Sequence, residues 1–438
     1  MIGLLATRFA MGALALARAA APAVAQTVAI TNGRVVIGDG SPPIEGGTVV
    51  IRNGRVVSAG AGAPPAGMPV IDATGKWVTP GLVAGFSRIG LAEVDGEEAS
   101  NDGGATGSPF SAAIDVVPAI NPRAYAIQVN RAAGVTRAIV APSPAVGLFA
   151  GQGAVIDLGA DMDAVTRPRA FQFVEMGEAG ADGAGGSRAA AHVLFRNALF
   201  EAKEYARNPS GYGGRDRDAL LMRLDAAALA PVVSGQVPLL VHVERASDIL
   251  QVIDLKREFP ALKLVLVGAS EGWTVADRIA AARVPVIASA LNDLPASFEA
   301  LAATQSNIGR MAAAGVTAAI GMIDDNDARQ ARQQPQYAGN LVALQKVPGA
   351  TGLDWNHAFA AITSGPAEAI GLGGEIGSLR PGRHGDVVIW SGDPLELSSA
   401  PEIVVIDGVR QPMDTRQTKL RDRYRSLDET ERPRAYQR

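Results

Sequence analysis

The chain has 438 residues, of which 47% are hydrophobic, and a formal net charge of −4 at pH 7. This length and composition allow one large domain, or a large and a small domain, and exclude global disorder. The nearly neutral charge gives no support for nucleic-acid binding, and the absence of cysteine excludes disulfides, thiolate zinc sites and a cysteine nucleophile. Any metal site would depend on carboxylates and on four histidines, His192, His242, His357 and His384.

The first 25 residues have the pattern of an export signal. Arg8 precedes an apolar stretch, and an Ala-Val-Ala step comes directly before Gln26. Small residues at this spacing are typical of a signal that is cleaved after Ala25. Arg18 interrupts the apolar run, which therefore falls short of the roughly 20 residues that span a bilayer. We expect residues 1–25 to be a signal peptide and the mature protein to be periplasmic, without membrane insertion.

Both ends of the chain contain strand and turn patterns. Asx-Gly pairs lie between β-branched runs at positions 32–33, 53–54 and 407–408. Such pairs tolerate positive φ and are the strongest short-range signal for a hairpin. We predict that residues 26–80 and 373–412 together form one small β-sandwich, followed by a charged tail at 413–438.

Between these ends, short apolar runs alternate with helical segments. The runs are "GVTRAIVAP", "VPLLVHVE", "LKLVLVG", "VPVIAS" and "GVTAAIG", and helical spacing is found at 187–207, 247–259, 274–283, 297–314 and 355–370. Such alternation is typical of parallel strands joined by crossover helices, and residues 81–372 can supply the about 250 residues of a TIM barrel. The predicted fold class is α/β, a TIM (β/α)8-type barrel plus the small composite β-sandwich. An open doubly wound sheet is the second alternative.

Five longer motifs follow one another in the order "VTPGL", "PLLVHVERASDIL", "LKLVLVGASEGWTVADRI", "AITSGPAEAIGL" and "GEIGSLRPGRHGDVVIWSGDPLE". Together they resemble the amidohydrolase superfamily, on its imidazolonepropionase-like side, over nearly the whole mature chain. The resemblance implies a TIM barrel combined with a β-sandwich. It also implies a divalent metal in the active members, hydrolysis of amide-like C–N bonds in small-molecule or peptide-like substrates, and frequent homo-oligomers.

The chain departs from this family at the end of the first barrel strand. The family has a His-x-His pair there, and residues two apart on a strand face the same side. The matching positions are Phe86, which has no lone pair, and Arg88, whose guanidinium cannot coordinate a metal. At about 4 Å and an effective dielectric near 20, a guanidinium and a dication repel each other by roughly 8 kcal/mol. We therefore predict a degenerate metal site with Arg88 at its mouth; the alternative is that Arg88 turns away or pairs with a structural carboxylate.

Other positions of the family's site are partly retained. His242 in "LLVHVER" matches the fifth-strand histidine, and Glu244 lies two residues on, on the same face. The sixth-strand histidine of many relatives falls at or near Gly268, and Glu271 follows. Arg88, Glu244 and Glu271 are the predicted substrate-binding residues.

After the predicted eighth strand, Asp324 and Asp325 lie near the position of the family's catalytic aspartate. One histidine with one or two carboxylates falls short of the three protein ligands usual for catalytic zinc. The sequence itself requires no cofactor, and a divalent metal such as zinc is the one that the resemblance allows. If a metal is bound, His242 and Asp324 are the predicted ligands.

Two functions are consistent with these residues. The first is an exported hydrolase of a non-peptide amide or cyclic amide bond, with Asp324 or Asp325 as general base and His242 polarising the substrate or binding metal. Without a metal, Arg88 would hold a substrate carboxylate or stabilise the developing oxyanion. The second is a catalytically inactive, metal-free barrel that binds a ligand or a partner.

Overall fold

A computed structural model describes residues 27–94, 96–144, 147–214, 219–290, 292–323 and 329–425. The predicted signal peptide, Asp324, Asp325 and the last part of the predicted tail lie outside these residues. Within the described ranges, no helix combines the length and the hydrophobicity needed to cross a bilayer.

The described residues form two β-sheets with helices packed around one of them. In chain order, the strands are β1 (Val28–Val35), β2 (Ile44–Arg52), β3 (Arg55–Gly60), β4 (Val70–Asp72), β5 (Trp77–Pro80), β6 (Leu82–Ser87), β7 (Val135–Val140), β8 (Phe149–Asp157), β9 (Val165–Glu175), β10 (Leu239–Val243), β11 (Leu264–Gly268), β12 (Val286–Ala288), β13 (Ala318–Ile320), β14 (Val387–Trp390), β15 (Pro401–Ile406) and β16 (Val409–Arg410). The helices are α1 (Tyr125–Ala132), α2 (Glu178–Gly183), α3 (Arg188–Arg207), α4 (Arg223–Val233), α5 (Ala246–Asp254), α6 (Ala276–Ala282), α7 (Asn307–Ala313), α8 (Gln334–Ala343), α9 (Trp355–Ala360), α10 (Ser364–Ala369) and α11 (Arg416–Tyr424).

The first sheet is built from both ends of the chain, as predicted. Its strand order is β16-β15-β14-β5-β1-β2-β3, with β4 paired to β1. The predicted turns at 53–54 and 407–408 are confirmed: they join β2 to β3 and β15 to β16. Asn53 and Asp407 have φ of 52° and 50°, the left-handed values that Asn and Asp tolerate best among residues with a side chain.

The hairpin prediction at Asn32-Gly33 is wrong, because this pair lies inside β1. Residues before it pair with β4 and residues after it pair with β5, and the register against β2 shifts on both sides of Gly33. A Cβ at position 33 would lie 2.5 Å from Val78 Cγ2, so glycine allows the close approach of β5. The pair therefore forms a bulge at which the strand changes neighbours.

The second sheet is a nearly closed barrel in the order β6 to β13. It closes where the Met322 N–H donates to the Phe86 carbonyl, at 3.0 Å. Gly85 permits this closure, since a Cβ there would lie 2.3 Å from the Ile320 carbonyl oxygen. A TIM-type barrel is confirmed.

One strand of the barrel runs in the opposite direction. β8 is antiparallel to both β7 and β9, whereas β6–β7 and β9 through β13 pair in parallel. Only residues 141–148 connect β7 to β8. A parallel connection needs a dozen or more residues, so this link has to make a hairpin. The strict alternation of parallel strands and helices is therefore broken at the third strand.

Two of the predicted helical segments depart most from the pattern. The segment 297–314 becomes helical only from Asn307, and Phe298 in its first half is 85% exposed. The segment 355–370 breaks into α9 and α10. It breaks because the carbonyls of Ala361 and Ile362 accept N–H groups from the barrel residues Ile320 and Val83.

A buried ionic cluster joins the barrel to the first sheet. Arg137 on β7 is 0% exposed and bonds Asp386 through Nε (2.6 Å) and Nη2 (3.0 Å) and Asp407 through Nη2 (2.7 Å). Its Nη1 lies 3.8 Å from Asp157 on β8. Burial raises the pKa of Asp157 to about 7 despite the nearby guanidinium. For Asp407, burial alone would raise the pKa, but the His384 hydrogen bond and the Arg137 charge lower it to about 2.

Candidate functional site at the barrel mouth

Polar residues gather where the barrel strands end. Glu175 is the last residue of β9, His242 lies in β10, Glu244 follows β10, and Ser270 and Glu271 follow β11. The parallel register places His242 opposite Glu175, so the two side chains are cross-strand neighbours. Carboxyl ends of parallel barrel strands open at one face, the face where barrel enzymes carry their active sites. Because the main chain fixes these positions, the cluster is well positioned for chemistry at the mouth.

His242 is held between two carboxylates. Its Nδ1 lies 2.8 Å from each carboxylate oxygen of Glu175, and its Nε2 lies 2.9 Å from Glu244 Oε1. The other oxygen of Glu244 accepts the Ser270 N–H at 2.7 Å. Carboxylates accept hydrogen bonds from both ring nitrogens only when both carry a proton. The arrangement therefore holds an imidazolium.

Glu175, His242 and Glu244 form a triad in which neighbouring opposite charges stabilise each other. Burial alone would lower the pKa of His242, but the charges and hydrogen bonds of Glu175 and Glu244 outweigh it and raise that pKa well above 6.5. For Glu244, burial acts to raise the pKa, and the hydrogen bonds and charge from His242 and Ser270 lower it below 4.5. The side chains of Glu175, His242 and Glu244 are 6%, 18% and 12% exposed. The triad thus carries two negative charges and one positive charge at the partly open mouth.

A second set of ionic contacts surrounds the triad. Arg188 at the start of α3 bonds Asp248 (2.9 Å) and Glu299 (3.3 Å), and Arg245 also bonds Asp248 (2.7 Å). Glu299 accepts the Glu178 N–H at 2.7 Å. Burial raises the pKa of Glu299, although that hydrogen bond acts in the opposite direction. These contacts fix the loops after β9, β10 and β12 against one another.

Glu271, a predicted substrate-binding residue, makes two contacts to the main chain. One of its oxygens accepts the Ala246 N–H and the other accepts the Ala302 N–H, both at 3.0 Å. It therefore ties the loop after β10 to the loop after β12. Sequence reasoning missed Glu175, Arg188 and Glu299. For Glu175 the only signal is a carboxylate that directly follows the short apolar run "FV".

Phe86 and Arg88 are the residues predicted to replace the family's paired histidines. Phe86 is 1% exposed and packs edge-on against Phe173, with ring centroids 5.1 Å apart. Both belong to a buried cluster that draws side chains from all eight barrel strands. Arg88, one residue beyond β6, is 7% exposed, so its side chain is not in solvent. Phe86 therefore contributes to the apolar interior of the barrel.

Gly268, at or near the position predicted for the family's sixth-strand histidine, has a backbone conformation that a side chain would strain. It has φ of 90°, and a Cβ there would lie 2.2 Å from Glu244 Oε1. The Glu244 carboxylate therefore fills the space that a side chain at position 268 would need.

The donor set of the described residues does not fit the metal centre that the resemblance implies. Among them, no group of three His, Asp or Glu side chains could hold a metal ion. His242 uses both ring nitrogens in hydrogen bonds to carboxylates. Of the other histidines, His357 bonds Asp354 and His384 bonds Asp407, both away from the mouth. Asp324 and Asp325, the predicted general bases, lie outside the described residues.

Comparisons with known proteins agree with this architecture. The family model of the amidohydrolase family matches residues 327–410. The chain is 25% identical over 354 residues to the amidohydrolase tasK of Hapsidospora irregularis, a match that covers 73% of this chain. It spans 34% of the length of that relative.

Solved structures extend the similarity to almost the whole fold. An amidohydrolase from Thermotoga maritima MSB8 is 25% identical and superposes with a TM-score of 0.76, over 87% of this chain and 99% of that one. A molinate hydrolase, 19% identical, superposes with a TM-score of 0.52 over 89% and 95% of the two chains. The order of motifs, the barrel with its second sheet and these matches lead to one conclusion. The chain is similar to the amidohydrolase superfamily in sequence and in fold.

Proposed function

We propose that the protein is a hydrolase of non-peptide, amide-type C–N bonds that works without the metal pair usual in its superfamily. The observation that carries the proposal is the imidazolium of His242, held between Glu175 and Glu244 at the barrel mouth. Its relatives support the choice of reaction, since two are named amidohydrolases and one is named for molinate hydrolysis. The degenerate metal site and export to the periplasm are parts of the same proposal.

Amide hydrolysis makes three demands on such a site. Water must lose a proton as its oxygen bonds to the carbonyl carbon, the resulting oxyanion must be stabilised, and the nitrogen must gain a proton as the C–N bond breaks. A raised pKa keeps His242 protonated near neutral pH, which makes it a weak proton donor but a lasting positive charge. We assign to it the stabilisation of the oxyanion, for which its Nε2–H exchanges the Glu244 carboxylate for the substrate oxygen.

The remaining roles follow the sequence predictions. Asp324 or Asp325 is the proposed general base for water and the source of the proton that reaches the leaving nitrogen. Arg88 is proposed to hold a substrate carboxylate or to add its charge to that of His242. The lowered pKa of Glu244 makes it a weaker base than an ordinary glutamate.

An activity assay tests this function. The protein, treated with a chelator, is incubated with N-acyl amino acids, lactams and aryl amides, and products are measured by liquid chromatography with mass spectrometry. We expect hydrolysis of at least one class, and His242→Gln should reduce kcat about 10²–10³-fold because one oxyanion-stabilising group is lost.

The matched control is His357→Gln, which makes the same change at an exposed position on α9. It should leave kcat unchanged. Circular dichroism at the assay temperature checks that the His242 variant is folded. Loss of all activity after chelation, with recovery on adding zinc, would contradict the metal-free proposal.

Metal content gives a second, independent prediction. Purified protein should contain far less than one equivalent of divalent metal by plasma mass spectrometry. The double variant Phe86→His, Arg88→His should bind up to about one equivalent, because it restores two neutral ligands and removes a positive charge. About one equivalent of zinc in the unmodified protein would refute the degenerate site.

A second candidate function is a barrel that binds a ligand without turning it over. Both nitrogens of His242 already have carboxylate partners, and Phe86 fills the interior beneath the mouth. In this case the assay would show no product from any substrate class, while saturable binding of an uncleaved amide would still be measurable by calorimetry.

A further inference from the structure

A large cavity lies at the end of the barrel opposite the mouth. Its volume is about 710 Å³, which is within the range of small-molecule sites. It is lined by the first half of β9 and by the residues that precede β10, β11 and β12. The segment after α10 forms another wall. Because these are the amino ends of the parallel strands, the cavity is separate from the candidate active site.

Positive charge dominates the lining. Five cationic side chains line the cavity, those of Arg167, Arg169, Lys256, Lys263 and Arg283. Two carboxylates oppose them, so the lining has a net charge of about +3 if all are ionised. A cleft lined mainly by one sign of charge concentrates the electric field and attracts oppositely charged ligands.

Part of this charge is not neutralised by the protein. Arg167 pairs with Glu375 at 2.6 Å, and Arg169 pairs with Asp115 at 2.8 Å. Within the described parts of the chain, the side chains of Lys263 and Arg283 make no hydrogen bond or ion pair. These two cations remain available to a ligand.

Two of the five lining cations have a left-handed backbone conformation. Arg169 and Arg283 have φ of 49° and 51°, in the left-handed region that residues with a Cβ rarely adopt. Among the described residues, the other non-glycine cases are Asn32, Asn53, Asp407 and Ala269. The two long cationic side chains that have this conformation in the described part of the chain therefore line the same cavity. Arg283 is the C-cap residue of α6, where left-handed backbone is common, whereas Arg169 lies within β9. Glycine would fit either backbone better.

We propose that this cavity is a binding site for a small polyanion, a molecule with two or more carboxylate or phosphate groups. Arg283 and Lys263 contact the ligand directly, and Arg169 exchanges Asp115 for it. The site is independent of the proposed hydrolase activity, because none of its residues belongs to the mouth.

Isothermal titration calorimetry with citrate, pyrophosphate and acetate tests the site. We expect saturable binding of citrate or pyrophosphate with a Kd below about 1 mM, and none of the monovalent acetate. Tighter binding of citrate would indicate a carboxylate ligand, and tighter binding of pyrophosphate would indicate a phosphate ligand. The double variant Arg169→Gly, Arg283→Gly should weaken binding about tenfold or more per cation removed. Its melting temperature should stay equal or rise, because glycine relieves both left-handed positions.

Two further variants complete the test. Lys263→Gln removes one exposed lining charge without changing the backbone and should also weaken binding about tenfold. Arg52→Ala removes an exposed cation from β2 and should leave binding unchanged. The proposal is overturned if neither polyanion binds saturably, if the lining variants bind as well as the unmodified protein, or if Arg52→Ala weakens binding to the same extent.

Discussion

Replacing Arg137 with methionine is expected to lower the free energy of unfolding by about 3–5 kcal/mol, the range for removing one partner of a buried ion pair. The guanidinium is 0% exposed and bonds both Asp386 and Asp407, and Asp157 lies nearby. Methionine has similar length but no charge, so three carboxylates would be left without their common cation. Urea denaturation at pH 7 measures the loss.

The matched control is the double variant Arg137→Met, Asp386→Asn. It removes the carboxylate that makes two of the three hydrogen bonds to Arg137, and it should recover part of the lost stability. A loss of less than about 1 kcal/mol in the single variant would be as small as that for an exposed surface ion pair. It would contradict a stabilising role for the buried cluster.

Replacing His242 with glutamine should destabilise the protein most at pH 6 and progressively less toward pH 9. A histidine whose pKa is raised in the folded state contributes its full stabilisation below the unfolded pKa of about 6.5 and loses it as pH rises through the folded value. Glutamine has no charge at any pH. The expected loss is about 3–5 kcal/mol at pH 6, because Glu175 and Glu244 would face each other without a cation.

Chemical denaturation from pH 6 to pH 9 provides the measurement. The unmodified protein should lose stability across this interval relative to the variant, and the two curves should converge. A triple variant, Glu175→Gln, His242→Gln, Glu244→Gln, removes all three charges and should be more stable at pH 6 than the single variant. Parallel curves for the unmodified protein and His242→Gln would show that His242 does not titrate as proposed.

Local patterns in the sequence predicted much of the fold. The turns at 53–54 and 407–408 depend on the tolerance of Asx-Gly for positive φ, and α3 begins at Arg188, one residue into the predicted helical segment 187–207. β8 was not among the predicted strands, and an apolar run would not have revealed its reversed direction. The short connection at 141–148 was the available signal. The bulge at 32–33 escaped prediction because it depends on the close approach of β5.

The candidate site was predicted only in part, because some of its contacts are local in sequence and others depend on tertiary structure. His242 and Glu244 share a face because of strand periodicity, which is local. Glu175 reaches His242 only through the register of two strands, and its partner is 67 residues away in sequence. Arg137 lies inside an apolar strand pattern, and its partners are 249 and 270 residues away. Such pairings are tertiary and leave no trace in a short window.

The first sheet has a consequence for how the protein is made. β14 pairs with β5, and Trp390 donates a hydrogen bond to Thr79, 311 residues earlier in the chain. A growing polypeptide therefore holds β5 as an open sheet edge throughout synthesis of the entire barrel. Contacts between such distant segments form slowly and leave an intermediate prone to aggregation. A chain released before β14 is translated would lack three strands and would keep Arg137 without Asp386 and Asp407. Translation of residues 387–410 is therefore the step that commits the molecule to its final form.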